Sequence, residues 1–138
     1  MIEGQRVVGY VFDRLVADTG AGGVHTLTSG RIYRDVVPQS ATLPAVTVSR
    51  VSHTDANPLG GVRAFAVTVV DVRVVSDGGV YATSVADRID TRLQNAAGTE
   101  DGVTVVELRR DGVQAFVEAD AGKLYAHLIT TWRTEAYA

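Results

Sequence analysis

No cysteine occurs among the 138 residues, which excludes disulfides, thiolate nucleophiles and thiolate metal ligands. Histidine is nearly as scarce. His25, His53 and His127 are the only three, and no pair has H-x-x-x-H spacing, so a metal centre is not expected. No apolar run approaches the ~18–20 residues that cross a bilayer. The N-terminal stretch MIEGQRVVGYVFDRL carries Glu3, Asp13 and Arg14 where a signal peptide needs an unbroken apolar core, so a soluble protein made in the cytoplasm is expected. Basic excess is missing too. A net charge of −3 argues against sequence-independent gripping of phosphates.

What is present suits one globular domain over residues 1–138. Hydrophobic residues make up 46% and charged ones 21%, enough for a chain of this length to bury roughly two thirds of its unfolded surface. Val7, Val8, Val11, Phe12, Leu15 and Val16 recur at helical spacing between Glu3 and Asp18, with Arg6, Asp13 and Arg14 opposite. Valine is a mediocre helix former and Gly9 costs about 1 kcal/mol relative to alanine, so packing must supply much of that helix's stability. The glycine-rich run Thr19–Gly30 has neither period and reads as a flexible loop.

Arg31–Tyr33 predicts a short strand. Pro38 and Pro44 then bound an irregular crossover, since proline donates no ladder hydrogen bond. Ala45–Thr54 alternates Val46 and Val48 with Thr47 and Ser49, the period of a half-buried strand. His53–Gly61 is polar and turn-rich and predicts a long hairpin loop. Val62–Val75 is the longest β run. Phe65, Val67 and Val69 share one phase and Val70, Val72 and Val74 the other, which implies a bulge near Val69 or a central strand covered on both faces.

Ser76–Gly79 offers a break and a helix cap. Val85, Ile89 and Leu93, with Ala82 and Ala86, mark a second helix over Tyr81–Asn95, with Gly98 as its stop. Three β runs close the chain, at Val103–Arg110, Val113–Ala119 and Lys123–Arg133. Asp111-Gly112 and Ala121-Gly122 are their expected turns. The order α-β-β-β-α-β-β-β predicts an α+β fold: two helices packed on one face of a mainly antiparallel β-sheet. The other face is left half-covered, a candidate subunit interface.

Catalytic chemistry finds little support. Ser52-His53-Thr54-Asp55 holds the residue types of a serine triad, yet neighbours along a strand do not converge as a triad requires. No G-x-S-x-G elbow is present. Glu118 with Asp120, and Glu100 with Asp101, are paired acids without a partner base or a substrate cue. The glycines at 20–23 follow a helix rather than open one, unlike a phosphate cradle. Trp132 reads as core or interface packing. No enzyme and no cofactor is indicated.

The stretch Arg31-Ile32-Tyr33, Val37-Pro38-Gln39, Leu43-Pro44 and the β-branched strand after it, with Leu59-Gly60-Gly61 before the long strand, resembles the tail-completion (tail terminator) proteins of long-tailed bacteriophages. Ala45 stands where many relatives carry an aromatic after L-P. The resemblance implies a structural virion protein in the neck of the tail. Such a subunit closes into a ring, usually a hexamer, on the head-proximal end of the tail tube. There it stops tube polymerisation and meets the connector proteins under the head, while DNA passes through without specific binding. Expected interface residues are Arg31, Tyr33, Arg34, Asp35, Pro38, Gln39, His53, Asp55, Asn57 and Leu59, together with mobile loops at about 19–30 and 53–61 and a short tail at 134–138. Glu100, Asp101, Glu118 and Asp120 are expected to face the channel, where acids repel DNA. A head-side connector ring, or a small ligand-binding α+β dimer, are the competing expectations.

Overall fold

The computed structural model describes residues 3–38, 41–56, 65–77 and 79–137. Among these, three helices and seven strands appear: α1 (Glu3–Val16), α2 (Val24–Leu27), β1 (Ile32–Arg34), β2 (Ala45–Ala56), β3 (Phe65–Ser76), α3 (Gly79–Leu93), β4 (Gly98–Glu100), β5 (Val103–Val105), β6 (Arg109–Asp120) and β7 (Lys123–Tyr137). One sheet runs β1-β2-β3-β7-β5-β4, and β6 pairs with β7 beside β5. The α+β class is as expected. The sheet is mixed, however, because β1 lies parallel to β2 while every other pair is antiparallel.

β3 is the central strand, with β2 on one side and β7 on the other. Its even positions, Ala66, Thr68, Val70, Val72 and Val74, are buried beneath the helices. Its odd positions are half-buried or exposed on the open face. The phase change in its sequence is thus that of a central strand. The bulge sits across from it in β2, between Arg50 and Ser52. Val7, Val8, Val11 and Leu15 of α1 meet Val85, Ile89 and Leu93 of α3 over this face, and Trp132 completes the core from β7. Trp132 is fully buried, and its indole Nε1–H donates to the Thr130 hydroxyl at 2.9 Å.

Arginines tie the helix ends together. Arg14 Nε donates to the Arg92 carbonyl at 2.8 Å and Arg92 Nε to the Arg14 carbonyl at 3.1 Å, so each helix caps the other's C-terminal carbonyls. The glycine-rich run, expected as a loop throughout, contains the short helix α2. Buried Asp18 accepts the Val24 N–H at 3.0 Å, at the start of α2, and a two-pronged contact from Arg88 of α3, each bond 2.8 Å. A Cβ at Gly23 would stand 2.2 Å from the Asp18 carbonyl oxygen, so only glycine fits that approach. The guanidinium of Arg88 is the main cause holding the Asp18 carboxyl at about 2, below its ordinary 3.8.

Other expectations are corrected. His53–Ala56 extends β2 rather than starting a loop, because it pairs residue by residue with Phe65–Thr68; residues 57–61 of that expected loop lie outside the described residues. Of the expected tail at 134–138, Thr134–Tyr137 is the end of β7, paired with β3 through Ala136, and residue 138 lies outside the described residues. Asp111-Gly112 is a bulge inside β6, and the Asp-Gly turn is Asp101-Gly102, both left-handed with φ of 47° and 80°, between β4 and β5. Ala121-Gly122 is a turn as expected, at φ of 50° and 80°. Asn95, at φ 62°, ends α3 in place of Gly98. Gly98 packs under Tyr10, whose ring would stand 2.8 Å from a Cβ there. Gly78, of the expected cap, lies outside the described residues.

Candidate functional site

The open face of the sheet holds a groove of about 400 Å³ lined by Val36, Thr47, Ser49, Asp71, Arg73 and His127, among others. The Thr131 hydroxyl donates to Asp71 Oδ1 at 2.8 Å. His127 is only 8% exposed, and neither ring nitrogen has a hydrogen-bond partner. Phe116 of β6 stacks on it, centroids 4.6 Å apart at 8°, and Glu118 Oε1 stands 3.9 Å from Nε2. Burial lowers the imidazole pKa, Glu118 opposes the shift and Arg73 adds to it, so the ring stays neutral at physiological pH.

The expected interface residues gather along one margin of the sheet, formed by β1 and the outer half of β2. Arg31 Nε donates to the Pro44 carbonyl at 3.0 Å. Tyr33 pairs with Thr47 on the open face. Arg34, exposed on the helix side, lies 5.9 Å from the Phe12 ring centroid. Asp35, at φ 68°, turns the chain out of β1, and its N–H donates to the Val48 carbonyl at 2.9 Å. Val36 and Pro38 follow, and Val36 is 73% exposed. β1 pairs with β2 only through Val48, so among the described residues no strand covers the outer edge of β2 beyond it. Gln39, Asn57 and Leu59 lie outside the described residues.

The four acids fall in two places. Glu100 packs against Gly9 of α1, its Oε1 3.6 Å from where a Cβ would sit, and Asp101 occupies the adjoining turn near Arg6 at 3.9 Å. Burial first, then a hydrogen bond with Asp13, raises the Glu100 pKa. Glu118 and Asp120 stand instead on β6, far along the sheet.

Sequence reasoning missed what β6 becomes. All twelve of its residues are exposed, and among the described residues it pairs with β7 alone. Toward their joining turn, β6 and β7 run on past Ser76, where β3 ends opposite Ala126, and form a two-stranded arm. Before the arm, β6 carries Val113 at 50% exposure, Phe116 at 43% and Val117 at 66%, and the arm itself carries Leu124 opposite Ala119. A signal was present: Val113–Val117 has no charge or proline to guard an edge.

Residues 9–134 match the family of tail completion protein gp17. The chain belongs to that family. Family membership makes it a structural, tail-completion component of a virion. Its fold is shared by a chain of the virion of a native gene transfer agent particle, 20% identical with a TM-score of 0.73, the match covering 97% of this chain and 96% of that one. A second solved chain is 13% identical with a TM-score of 0.50, covering 99% of this chain and 93% of that one. No curated protein matches significantly.

Among the described residues of this tail completion protein, Glu3, His53 and Asp55 form a further polar cluster, their ligand-type atoms within 4.8 Å of one another. His53 Nε2 is 3.2 Å from Asp55 Oδ1 and 3.9 Å from Glu3 Oε2, while Nδ1 lies 3.4 Å from the Thr68 hydroxyl. His53 and Asp55, two apart on β2, therefore do meet, contrary to the expectation that strand neighbours diverge. The hydroxyl beside them belongs to fully buried Thr68, which no substrate reaches. The cluster fastens the first turn of α1 to β2, a structural task that also suits Glu3 at a helix N-terminus.

Proposed function

We propose that this protein is a tail terminator: a subunit that closes into a ring, hexameric in the family's usual form, on the head-proximal end of the tail tube. The ring stops tube polymerisation and presents the joining surface for the head connector. DNA passes through its lumen without specific binding. The role is non-catalytic, and the protein sits in the neck of the tail. Membership of the tail completion family over residues 9–134 carries the reading. That a chain of the same fold belongs to a gene transfer agent virion supports it.

The physical requirements fit. A ring needs two different patches on each subunit, because a patch that pairs with its own copy closes a dimer. The open margin at β1–β2 and the exposed arm of β6 are two such patches, on opposite sides of one sheet. Glu100, Asp101, Glu118 and Asp120 are proposed for the lumen; the two pairs, set apart, would line it at two levels. Partners are further copies of the chain, the tail tube protein and the head completion protein.

Electron microscopy of particles lacking this gene tests the role. Overlong tails beside tailless, DNA-filled heads are expected. Tails of normal length that fail to join heads would move the protein to the head-side connector, and wild-type particles would refute both assignments.

A further inference from the structure

We propose that Glu3, His53 and Asp55 form a binding site for one divalent transition-metal ion of the zinc class, which clamps the first turn of α1 to β2. The site is independent of the ring reading.

Two elements distant in sequence bring the donors together. His53 and Asp55 are two apart on β2 and pair with Thr68 and Ala66, both buried, so they share the helix-side face of the strand. Glu3 meets them from α1 and is only 2% exposed. The next residue has no side chain. A Cβ at Gly4 would stand 2.6 Å from His53 Nδ1, so bare backbone lets the imidazole lie against the helix turn. One ligand atom from each of the three residues falls within 4.8 Å of the others.

Donors that hold a zinc ion at about 2.0–2.2 Å stand about 3.3 Å from one another. His53 Nε2 is already 3.2 Å from Asp55 Oδ1 and 3.9 Å from Glu3 Oε2, so small side-chain movements seat an ion among the three. The ring is oriented as a ligand's is. Its Nδ1 lies 3.4 Å from the Thr68 hydroxyl, an outer partner that leaves Nε2 facing the carboxylates. A hydrogen bond from Nε2 does less: it reaches Asp55, while Glu3 at 3.9 Å is beyond its range. A cation meets the nitrogen and both carboxylates at once. One imidazole nitrogen with two carboxylate oxygens suits a first-row transition ion, whereas magnesium and calcium take oxygens alone. Three protein ligands leave a coordination position for water, and the Asp55 side chain, 41% exposed, opens that position to solvent. The expectation of no metal centre rested on histidine pairs. This set uses a single histidine and takes its third ligand from another element.

Zinc binding by the untagged full chain, stripped with a chelator and dialysed, tests the site. Titration calorimetry with zinc chloride should give one ion per chain at micromolar affinity or tighter, and added zinc should raise the thermal midpoint by mass action. Cobalt in place of zinc should show visible bands that aqueous cobalt lacks. Asp55→Asn changes a half-exposed side chain and should weaken binding by at least the roughly 10-fold that loss of an outer partner costs. His53→Gln should abolish binding, while His25→Gln and His127→Gln should leave it unchanged. Circular dichroism of the metal-free variants should match wild type. Absence of binding by the wild-type chain at millimolar zinc would overturn the site, and so would binding that survives both Asp55→Asn and His53→Gln. Displacement of zinc by equimolar magnesium would overturn the choice of ion.

Discussion

Trp132 and Phe116 sit on neighbouring strands of one sheet and live in different solvents. Trp132 is sealed between the sheet and the helices, with its indole N–H satisfied inside the core. Phe116, on the edge strand β6, stays 43% exposed and shields a histidine whose nitrogens have no partner. In the helix-covered body Asp18 has Arg88 and the Val24 N–H, and the helix ends have Arg14 and Arg92, while the Tyr10 hydroxyl is buried without a partner. β6 instead leaves apolar side chains exposed and, among the described residues, pairs along one edge only. Body residues are therefore predicted to act on folding, and β6 residues on assembly.

The widest separation comes from Trp132→Ala. Emptying that volume in the core should cost about 4 kcal/mol, read as a lower chemical denaturation midpoint. A loss under 1 kcal/mol would mean the core collapses around the cavity. Next is Asp18→Ala, which strands the Arg88 guanidinium and uncaps α2, for about 3 kcal/mol.

The same carboxylate sets an acid limb. Its folded pKa of about 2 lies below the ordinary 3.8, so its stabilisation is whole above about pH 4 and fades as pH falls toward 2. Thermal unfolding at pH 5 and pH 2.5 should show wild type losing more than Asp18→Asn between the two. Equal losses would assign acid sensitivity elsewhere.

Phe116→Ala should cost only about 1 kcal/mol of folding, the worth of a half-exposed aromatic stack, yet weaken self-association well beyond that. Equal effects on both would erase the distinction between β6 and the body. The smallest effect is expected from Glu100→Gln. Burial and the Asp13 carboxyl raise the Glu100 pKa, so the charged form is disfavoured in the fold and its penalty builds as pH rises above the ordinary 4.5 and is constant above the raised folded value. The neutral amide should stabilise the protein at pH 7 by roughly 0.5 kcal/mol, the scale of a relieved like-charge pair. A destabilised variant would mean the carboxylate is held by favourable contacts.

Much of the fold was legible in one dimension, and its misses have physical causes. Asp-Gly suits both a two-residue turn and a bulge. Asp111-Gly112 became the bulge because β6 pairs with β7 on both sides of it, while Asp101-Gly102 became the turn. Asn95 ended α3 because asparagine tolerates the left-handed region nearly as glycine does, leaving Gly98 to make room for Tyr10. The short helix α2 after the glycine run went unread, because Asp18, which accepts its first N–H, is held by Arg88, seventy residues away. Of the expected interface residues, those described lie together on the β1–β2 margin. The arm went unseen because an exposed strand and a buried one share the same alternation.

By itself, then, the sequence determined the periodic elements and the family. Helical and strand spacing follow from local geometry, and short proline-bounded motifs survive as local patterns. Only the tertiary structure decided which strand became central, which edges stayed open and which acids found partners. Those outcomes depend on what lies across the sheet, and a chain read along its length carries no record of distance across it.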